Sequence, residues 1–284
     1  MKEGLLEIIS CPYNEESHLE MKVKKKENDE IIEGVLICKK CERIFPIIRE
    51  VPYLMPDDLK SKNKDVIEFL SQNKEYKTMD QHHCTTDADW KPGLRRWEPD
   101  FFTRCLTRFQ MRDSSKLFFS ADSFSLDIGC GEVARGTINI DLYLPAKIPK
   151  NFILASAELL PFKSNVFDVV FSSYVIEHCL NPAHFVQDQV RCSRDKVIII
   201  TDNSEWIGDY WFRLTGNGRI FHDEHYYRWT VEYLGNLIRR LGYETKVEAC
   251  NLSPTYVVAI LSRLGRIPRI GIVFYRDIKA EILK

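Results

Sequence analysis

The chain of 284 residues has no excess of charge of either sign: Lys and Arg number 40 against 41 for Asp and Glu, a formal net charge of −1. A whole-chain polybasic or acidic binder is thereby excluded, and any charge asymmetry has to be local. No apolar run approaches the roughly 18 residues of a membrane span, and the first ten residues are too acidic and too briefly apolar for a signal peptide. With 13 Gly and 12 Pro, and 44% hydrophobic against 29% charged residues, low-complexity and disordered classes are also excluded. The nine cysteines are an odd number scattered through a chain too long to need disulfides. They are expected to be reduced thiols, with a metal site open among three of them, and without a signal peptide or membrane span the expected compartment is the cytoplasm.

At roughly 150 residues per domain the length suggests two domains. Residues 1–58 carry 9 basic and 13 acidic side chains and end at Met55-Pro56-Asp57-Asp58, a stop-like sequence that closes a small domain. Residues 59–113 read as a helical connector: an amphipathic stretch with Val66, Phe69 and Leu70, a polar run over 78–89, and a helix from Pro99 with Arg104, Arg108 and Arg112 along one side. Residues 114–284 form the large domain. Its apolar runs, Phe124 to Ile128, Thr137 to Asp141, Phe152 to Ala155, Phe167 to Ser172 and Val197 to Thr201, alternate with loops and helical patterns, as in a mostly parallel α/β sheet. A helix from Val231 to Leu241 stops at Gly242, and the runs Thr245 to Leu252 and Thr255 to Leu261 are expected to pair as a hairpin.

The run Leu126-Asp127-Ile128-Gly129-Cys130-Gly131 ends a strand in a turn where missing side chains let a ligand approach the backbone. With Ala134 it satisfies the glycine pattern of dinucleotide sites, so a nicotinamide oxidoreductase has to be weighed. Two details oppose it. A carboxylate at Asp127 repels a pyrophosphate but suits a ligand bearing an ammonium and a sulfonium. Asp141 follows Gly129 by 12 residues, not the roughly 20 of dinucleotide folds.

Three further runs follow in order: Asn139 to Leu142, Ala155-Ser156-Ala157-Glu158-Leu159-Leu160-Pro161-Phe162, and Phe167 to His178. Together the four resemble class I S-adenosylmethionine-dependent methyltransferases of the type 11 kind. That resemblance spans about 120–262 and implies a Rossmann-like α/β fold with a seven-stranded sheet whose last strand is antiparallel. Carried onto this chain, it implies that Gly129, Cys130 and Gly131 line S-adenosylmethionine and that Asp127 lies near its amino-acid end. Asp141 would accept both ribose hydroxyls, Ser156 and Ala157 would meet the adenine, and Ser172 would face the methionine moiety. The connection from Gly129 to Gly136 is too short for a full crossover helix, so it is either a loop with one short turn or it displaces the second strand.

In the small domain Cys11 and the pair Cys38-x-x-Cys41 provide three thiols for a tetrahedral zinc ion. Asn14 stands where a fourth cysteine would be, so His18 or an outside group would complete the set; the alternative is a ribbon held by apolar residues alone. Glu33 to Cys41, Pro46-Ile47-Ile48, Val51-Pro52 and Leu54-Met55-Pro56 make residues 4–59 similar to the small activator subunit of tRNA and translation-factor methyltransferases. That resemblance implies a zinc-ribbon-like, β-rich domain that adds a strand to a methyltransferase sheet. Here the pairing would be intramolecular, at the edge formed by Phe152 to Ala155.

A long segment from Thr201 to Thr230 carries Trp206, Tyr210, Trp211, Phe212, Phe221, Tyr226, Tyr227 and Trp229, suited either to closing over a ligand or to a satellite apolar cluster. Candidate catalytic groups are Tyr174, His222 and His225, with Asp223 and Glu224 beside them, while His178 reads equally as a capping residue. Methyl transfer is a direct displacement and needs alignment more than a base. The Asn-Pro-Pro-Tyr motif that serves planar exocyclic amines is absent. Residues 91–112 and 263–284 each carry 6 basic against 2 acidic side chains, a local charge that suits RNA. The expectation is a methyltransferase acting on RNA or a translation component. A small-molecule acceptor, or a non-catalytic regulatory protein with the same fold, are the alternatives.

Overall fold

The computed structural model describes residues 1–76, 123–206, 225–252 and 275–284. The expected helix from Pro99, the basic stretch 91–112, the run Thr255 to Leu261 and the aromatic residues 207–224, His222 among them, lie outside these.

The small domain is a meander of β1 (Leu19–Glu27), β2 (Glu30–Cys38), β3 (Ile44–Ile48) and β4 (Val51–Leu54), each antiparallel to the next. Two-residue turns close its tight hairpins. Asn28 and Asp29 at φ 44° and 63°, and Arg49 and Glu50 at φ 48° and 70°, adopt the left-handed conformation that matches the twist of the flanking strands. The polypeptide then forms α1 (Asp57–Lys62), whose Asp57 pairs with Arg43 at 2.7 Å and with Lys60 at 3.2 Å. Next comes α2 (Lys64–Gln72), capped by the Asn63 side chain and burying Val66 and Phe69 as the amphipathic pattern anticipates.

The large domain contributes β5 (Ser125–Ile128), β6 (Ile138–Asp141), β7 (Phe152–Ala155), β8 (Phe167–Ser173), β9 (Ser193–Asp202), β10 (Thr245–Leu252) and β11 (Tyr275–Leu283), with α3 (Pro182–Cys192) and α4 (Val231–Arg240). One mixed sheet runs β1-β2-β3-β4-β7-β6-β5-β8-β9-β11-β10. It therefore has 11 strands instead of the seven expected, because the ribbon is continuous with it: β4 lies parallel to β7, with Tyr53 opposite Leu154 and Leu54 opposite Ala155. Among its seven large-domain strands β11 is antiparallel to both neighbours.

A second correction concerns the C-terminal strands. β10 pairs with Tyr275–Leu283, and Thr255 to Leu261 is not its described partner. The C-terminal part of the basic stretch 263–284 is thereby a strand inside the sheet, with Ile278, Ala280 and Ile282 buried and with Arg276 and Lys279 balanced by Asp277 and Glu281.

Alternation places Phe167, Val170, Val197 and Ile199 on one face of the sheet with α3, α4 and the N-terminal segment. Val169, Phe171, Ile198 and Ile200 are on the other. The main core is shared by both domains: Leu36, Phe45, Ile47 and Leu54 belong to the same buried cluster as Ile153, Ala155 and Leu160. A bridge between Ile9 and Phe162 and the bond from the Ser10 N–H to the Pro161 carbonyl, 2.9 Å, fasten the N-terminal segment to the same side. No helix among the described residues is long and apolar enough to cross a membrane.

Because Leu54 is fully buried in this shared core, Leu54→Ala is expected to lower the unfolding free energy by about 3 kcal/mol in chemical denaturation. Unchanged stability would show that the β4–β7 seam carries no packing energy.

Candidate active site

The chain runs outward from β5 to β6 and β7, then returns to place β8 on the other side of β5, so the strand order reverses between β5 and β8. Ligands of such sheets bind at the carboxyl ends of the strands beside that reversal. There the glycine turn meets the end of β8: Ile128 is in register with Ser172, and a side chain at Gly129 would come within 2.4 Å of Val175 Cγ2. Gly129 also has φ +68°, so both its backbone and its packing require the missing side chain.

The connection from β5 to β6 resolves into the first of the two expected alternatives. Residues 129–137 form turns without a helix, and β6 remains directly beside β5 in parallel register. Side chains replace the helix as the support. Asp127 Oδ2 accepts from the Arg135 N–H at 2.9 Å. Asn139 Oδ1 accepts from the Gly136 N–H, and its amide donates back to the Gly136 carbonyl, each at 3.0 Å. The Gly129 and Cys130 N–H groups donate to the Ile140 carbonyl, folding the turn over β6. A dinucleotide pyrophosphate is held by the N-terminus of a helix following this turn, and no such helix is present here, which removes the structural basis of the oxidoreductase reading.

Asp141, at the end of β6, is half-buried. Its Oδ2 accepts from the Gly131 N–H at 2.9 Å and its Oδ1 from the Tyr143 N–H at 3.0 Å, so the carboxylate and glycine turn are one unit. Asp127 has no exposed surface. Burial, opposed by Arg135 and assisted by Asp141, pushes its carboxyl up to about 7. Its Oδ1 and the Oγ of the fully buried Ser172 have no hydrogen-bond partner. Buried polar atoms without partners are uncommon, and two beside a ligand turn are what a site for a polar cofactor leaves behind. Ser156 and Ala157 follow β7, with Ser156 Oγ accepting from the Glu158 N–H at 3.2 Å. The residues fit the expected cofactor.

Next to the turn, residues 174–178 and the segment from His225 enclose a cleft lined by Glu177, Thr201, Asp202, His225, Arg228 and Trp229. The Tyr226 N–H donates to the Glu177 carbonyl at 2.9 Å, and Asn203 bridges to Trp229, so the returning segment is fastened to the ends of β8 and β9. Glu177 is buried, and its Oε2 accepts from Thr201 Oγ1 at 3.0 Å. Burial first, then Asp202 and Asp277, pushes its carboxyl up to about 8. Tyr174, at φ 57°, is 38% exposed as a residue, yet burial around its hydroxyl first, and then Asp277, pushes the phenol well above its usual range. His225 lines the cleft and His178 is exposed on the short 3-10 turn Ile176–His178, with the two rings 4.6 Å apart edge to face. The capping role belongs to Asn181, which receives the His184 N–H at the start of α3. Sequence reasoning missed Asn139, Glu177 and Asp277. Glu177 adjoins His178 shortly after a strand, a visible signal; Asp277 had none, since its residues were counted only as part of a basic stretch.

The three sulfur atoms of Cys11, Cys38 and Cys41 lie within 4.8 Å of one another. The Cys11 and Cys41 sulfurs are 3.7 Å apart, close to the roughly 3.8 Å edge of a tetrahedron with 2.3 Å zinc–sulfur bonds. Burial pushes the Cys11 thiol up to about 12. At Cys38 burial is outweighed by the Ser17 hydroxyl, 3.1 Å away, and the N–H groups of Cys41 and Lys40, which bring the thiol down to about 7. The group could hold a metal. His18 is exposed and lies outside it, whereas Ser17 is beside it.

Asp127 contributes stability that is complete below its unfolded value of 3.8 and is lost as pH rises through about 7. Asp127→Asn is therefore expected to gain thermal stability relative to the parent protein as pH increases from 4 to 7, with a constant difference above that. A difference independent of pH in paired melting curves would remove the buried carboxylate from this account.

Residues 2–50 match a family model described as Trm112p-like protein, and residues 140–201 match one described as methyltransferase domain. A search of curated proteins returns no match. Among solved structures, a SAM-dependent methyltransferase from Thermotoga maritima aligns with TM-score 0.46 and 16% identity over 64% of this chain and 92% of its own. One from Archaeoglobus fulgidus aligns at 0.43 and 16% over 64% and 94%. A chain of the complex containing the Haloferax volcanii Trm112 methyltransferase activator aligns at 0.42 and 12% over 62% and 90%. The chain thus carries, in one polypeptide, a Trm112p-like segment over residues 2–50 and a methyltransferase-domain segment over residues 140–201.

Proposed function

We propose that the chain methylates RNA or a component of the translation machinery, with 1–58 as an activator-like ribbon, 59–113 as a helical connector and 114–284 as the catalytic domain. The ribbon carries the acceptor assignment: its likeness is to the activator of tRNA and translation-factor methyltransferases, and β4 occupies the sheet edge at β7. The free thiols of the described cysteines suit a reducing compartment, the cytoplasm.

The cofactor supplies an electrophilic methyl group on a sulfonium. Around it, Gly129, Cys130 and Gly131 give a backbone surface, and Asp141 accepts the ribose hydroxyls with the lone pairs left after its two backbone bonds. Asp127 and Ser172 provide the partnerless polar atoms toward the methionine end, while Ser156 and Ala157 border the adenine. Catalysis rests on alignment in a site from which water is excluded. Tyr174 and His225, and His222 from outside the described residues, are the side chains assigned to the acceptor. Cys11, Cys38 and Cys41 of the ribbon would hold a zinc ion as thiolates, with a further ligand supplied by His18 or from outside the group.

Calorimetry with S-adenosylmethionine is expected to show binding that weakens about 100-fold in Asp141→Ala, the scale of two lost charge-assisted hydrogen bonds. Binding unaffected by that change would reject the site as drawn. With labelled cofactor offered to total RNA, protein and small-molecule fractions, the methyl is expected in RNA or in translation proteins. Label found in metabolites alone would replace this acceptor by a small molecule.

A further inference from the structure

Beside the glycine turn lies a second group of metal-type ligands, separate from Cys11, Cys38 and Cys41. A carboxylate oxygen of Glu177 and ring nitrogens of His178 and His225 all lie within 4.8 Å of one another. These come from two separate stretches of chain, brought together by the bonds of the Tyr226 and Tyr227 N–H groups to the Glu177 carbonyl. Glu177 has 1% of its surface exposed, and of its two carboxylate oxygens only Oε2 is engaged, by Thr201; Oε1 is buried without a hydrogen-bond partner. An ionised carboxylate in that position is costly unless a positive charge joins it. The cleft that Glu177 and His225 line is also lined by Asp202, which adds negative charge, and by Arg228.

We propose that Glu177, His178 and His225 bind a divalent transition-metal cation at the acceptor side of the site. Two imidazoles and one carboxylate form a three-ligand set that leaves coordination positions open, the arrangement typical of sites where a substrate or water completes the sphere. Ligands around one such cation lie about 3.0 to 3.4 Å apart, so closing the group needs shifts of at most about 1.5 Å, which rotation of the exposed His178 ring supplies. The open positions face the cleft. An oxygen or nitrogen of the acceptor is the ligand of matching chemistry, and the cation would hold it near the glycine turn, since Val175, two residues from Glu177, packs against Gly129. That orienting role rests on the methyltransferase reading; the cation site itself does not, and its test needs no turnover.

Cobalt(II) distinguishes the two ligand groups, because thiolate ligation produces a strong charge-transfer band and nitrogen–oxygen ligation does not. Titration of the full chain is expected to reveal, besides any thiolate-bound cobalt, one ion without that band. Its affinity should persist in Cys38→Ser and fall at least tenfold in His178→Ala and again in His225→Ala. His178 is exposed, so its removal leaves the core intact, and circular dichroism checks the fold of each variant. Cobalt bound only with the thiolate band, no bound cobalt, or an affinity untouched by both histidine changes would overturn the proposal.

Discussion

The parallel pairing of β4 with β7 is the contact on which the rest of the architecture depends. A sheet ending at β7 would present Phe152 to Ala155, an apolar strand buried on both faces, as an open edge. The ribbon, for its part, is a small meander whose β2 and β3 bury Leu36, Phe45 and Ile47 and which has too little interior to pack alone. Joining the two edges solves both problems. The apolar cluster that results crosses the seam without a break, so the segment that is Trm112p-like is part of the catalytic sheet's core and not an appendage tethered to it.

That joining also disciplines the site. β7 neighbours β6, and β6 ends in Asp141, so the ribbon supports the outer side of the strand that ends in this carboxylate. On the inner side the support is polar. Asp127 and Asn139 hold a connection that is too short for a helix, and they do so from within the sheet. The consequence is a cofactor turn positioned by side-chain hydrogen bonds, where many α/β sites depend on a helix N-terminus. A buried carboxyl raised to about 7 belongs to this solution: the group that organises the turn sits where solvent cannot reach it.

Much of this was legible in the residues because the physics was local. Strands β5 to β9 announce themselves by uninterrupted apolar runs, as strands covered on both faces must. Turn chemistry marked Gly129 and Gly131, and Asp141 followed at a fixed interval. Helix boundaries were equally local, with Thr230 receiving the Tyr233 N–H at one end of α4 and Gly242, at φ +90°, ending the other. What failed was non-local. β11 interleaves Arg276, Asp277, Lys279 and Glu281, whose charges cancel, with Ile278, Ala280 and Ile282, and it was counted only as part of a longer basic stretch. Its partner β10 ends at Leu252, more than twenty residues earlier, and no short-range signal links them.

The same distinction explains why the acceptor side was the least legible part of the site. Gly129, Gly131 and Asp141 lie at the ends of neighbouring strands, so a motif captures them. The cleft, by contrast, is assembled from the turn after β8, the end of β9 and the segment at His225, with Asp277 of β11 acting on Glu177 from beside it. Glu177 became notable only when the fold buried it beside Asp202 and Asp277, because its high carboxyl value comes from burial first and then from those two acids, against the lowering effect of the Thr201 hydroxyl. A carboxylate kept from water among two other acids has to be neutralised, by a proton or by a cation. The two histidines within reach make the cation the chemically specific answer, and they turn a local electrostatic cost into a means of holding an acceptor.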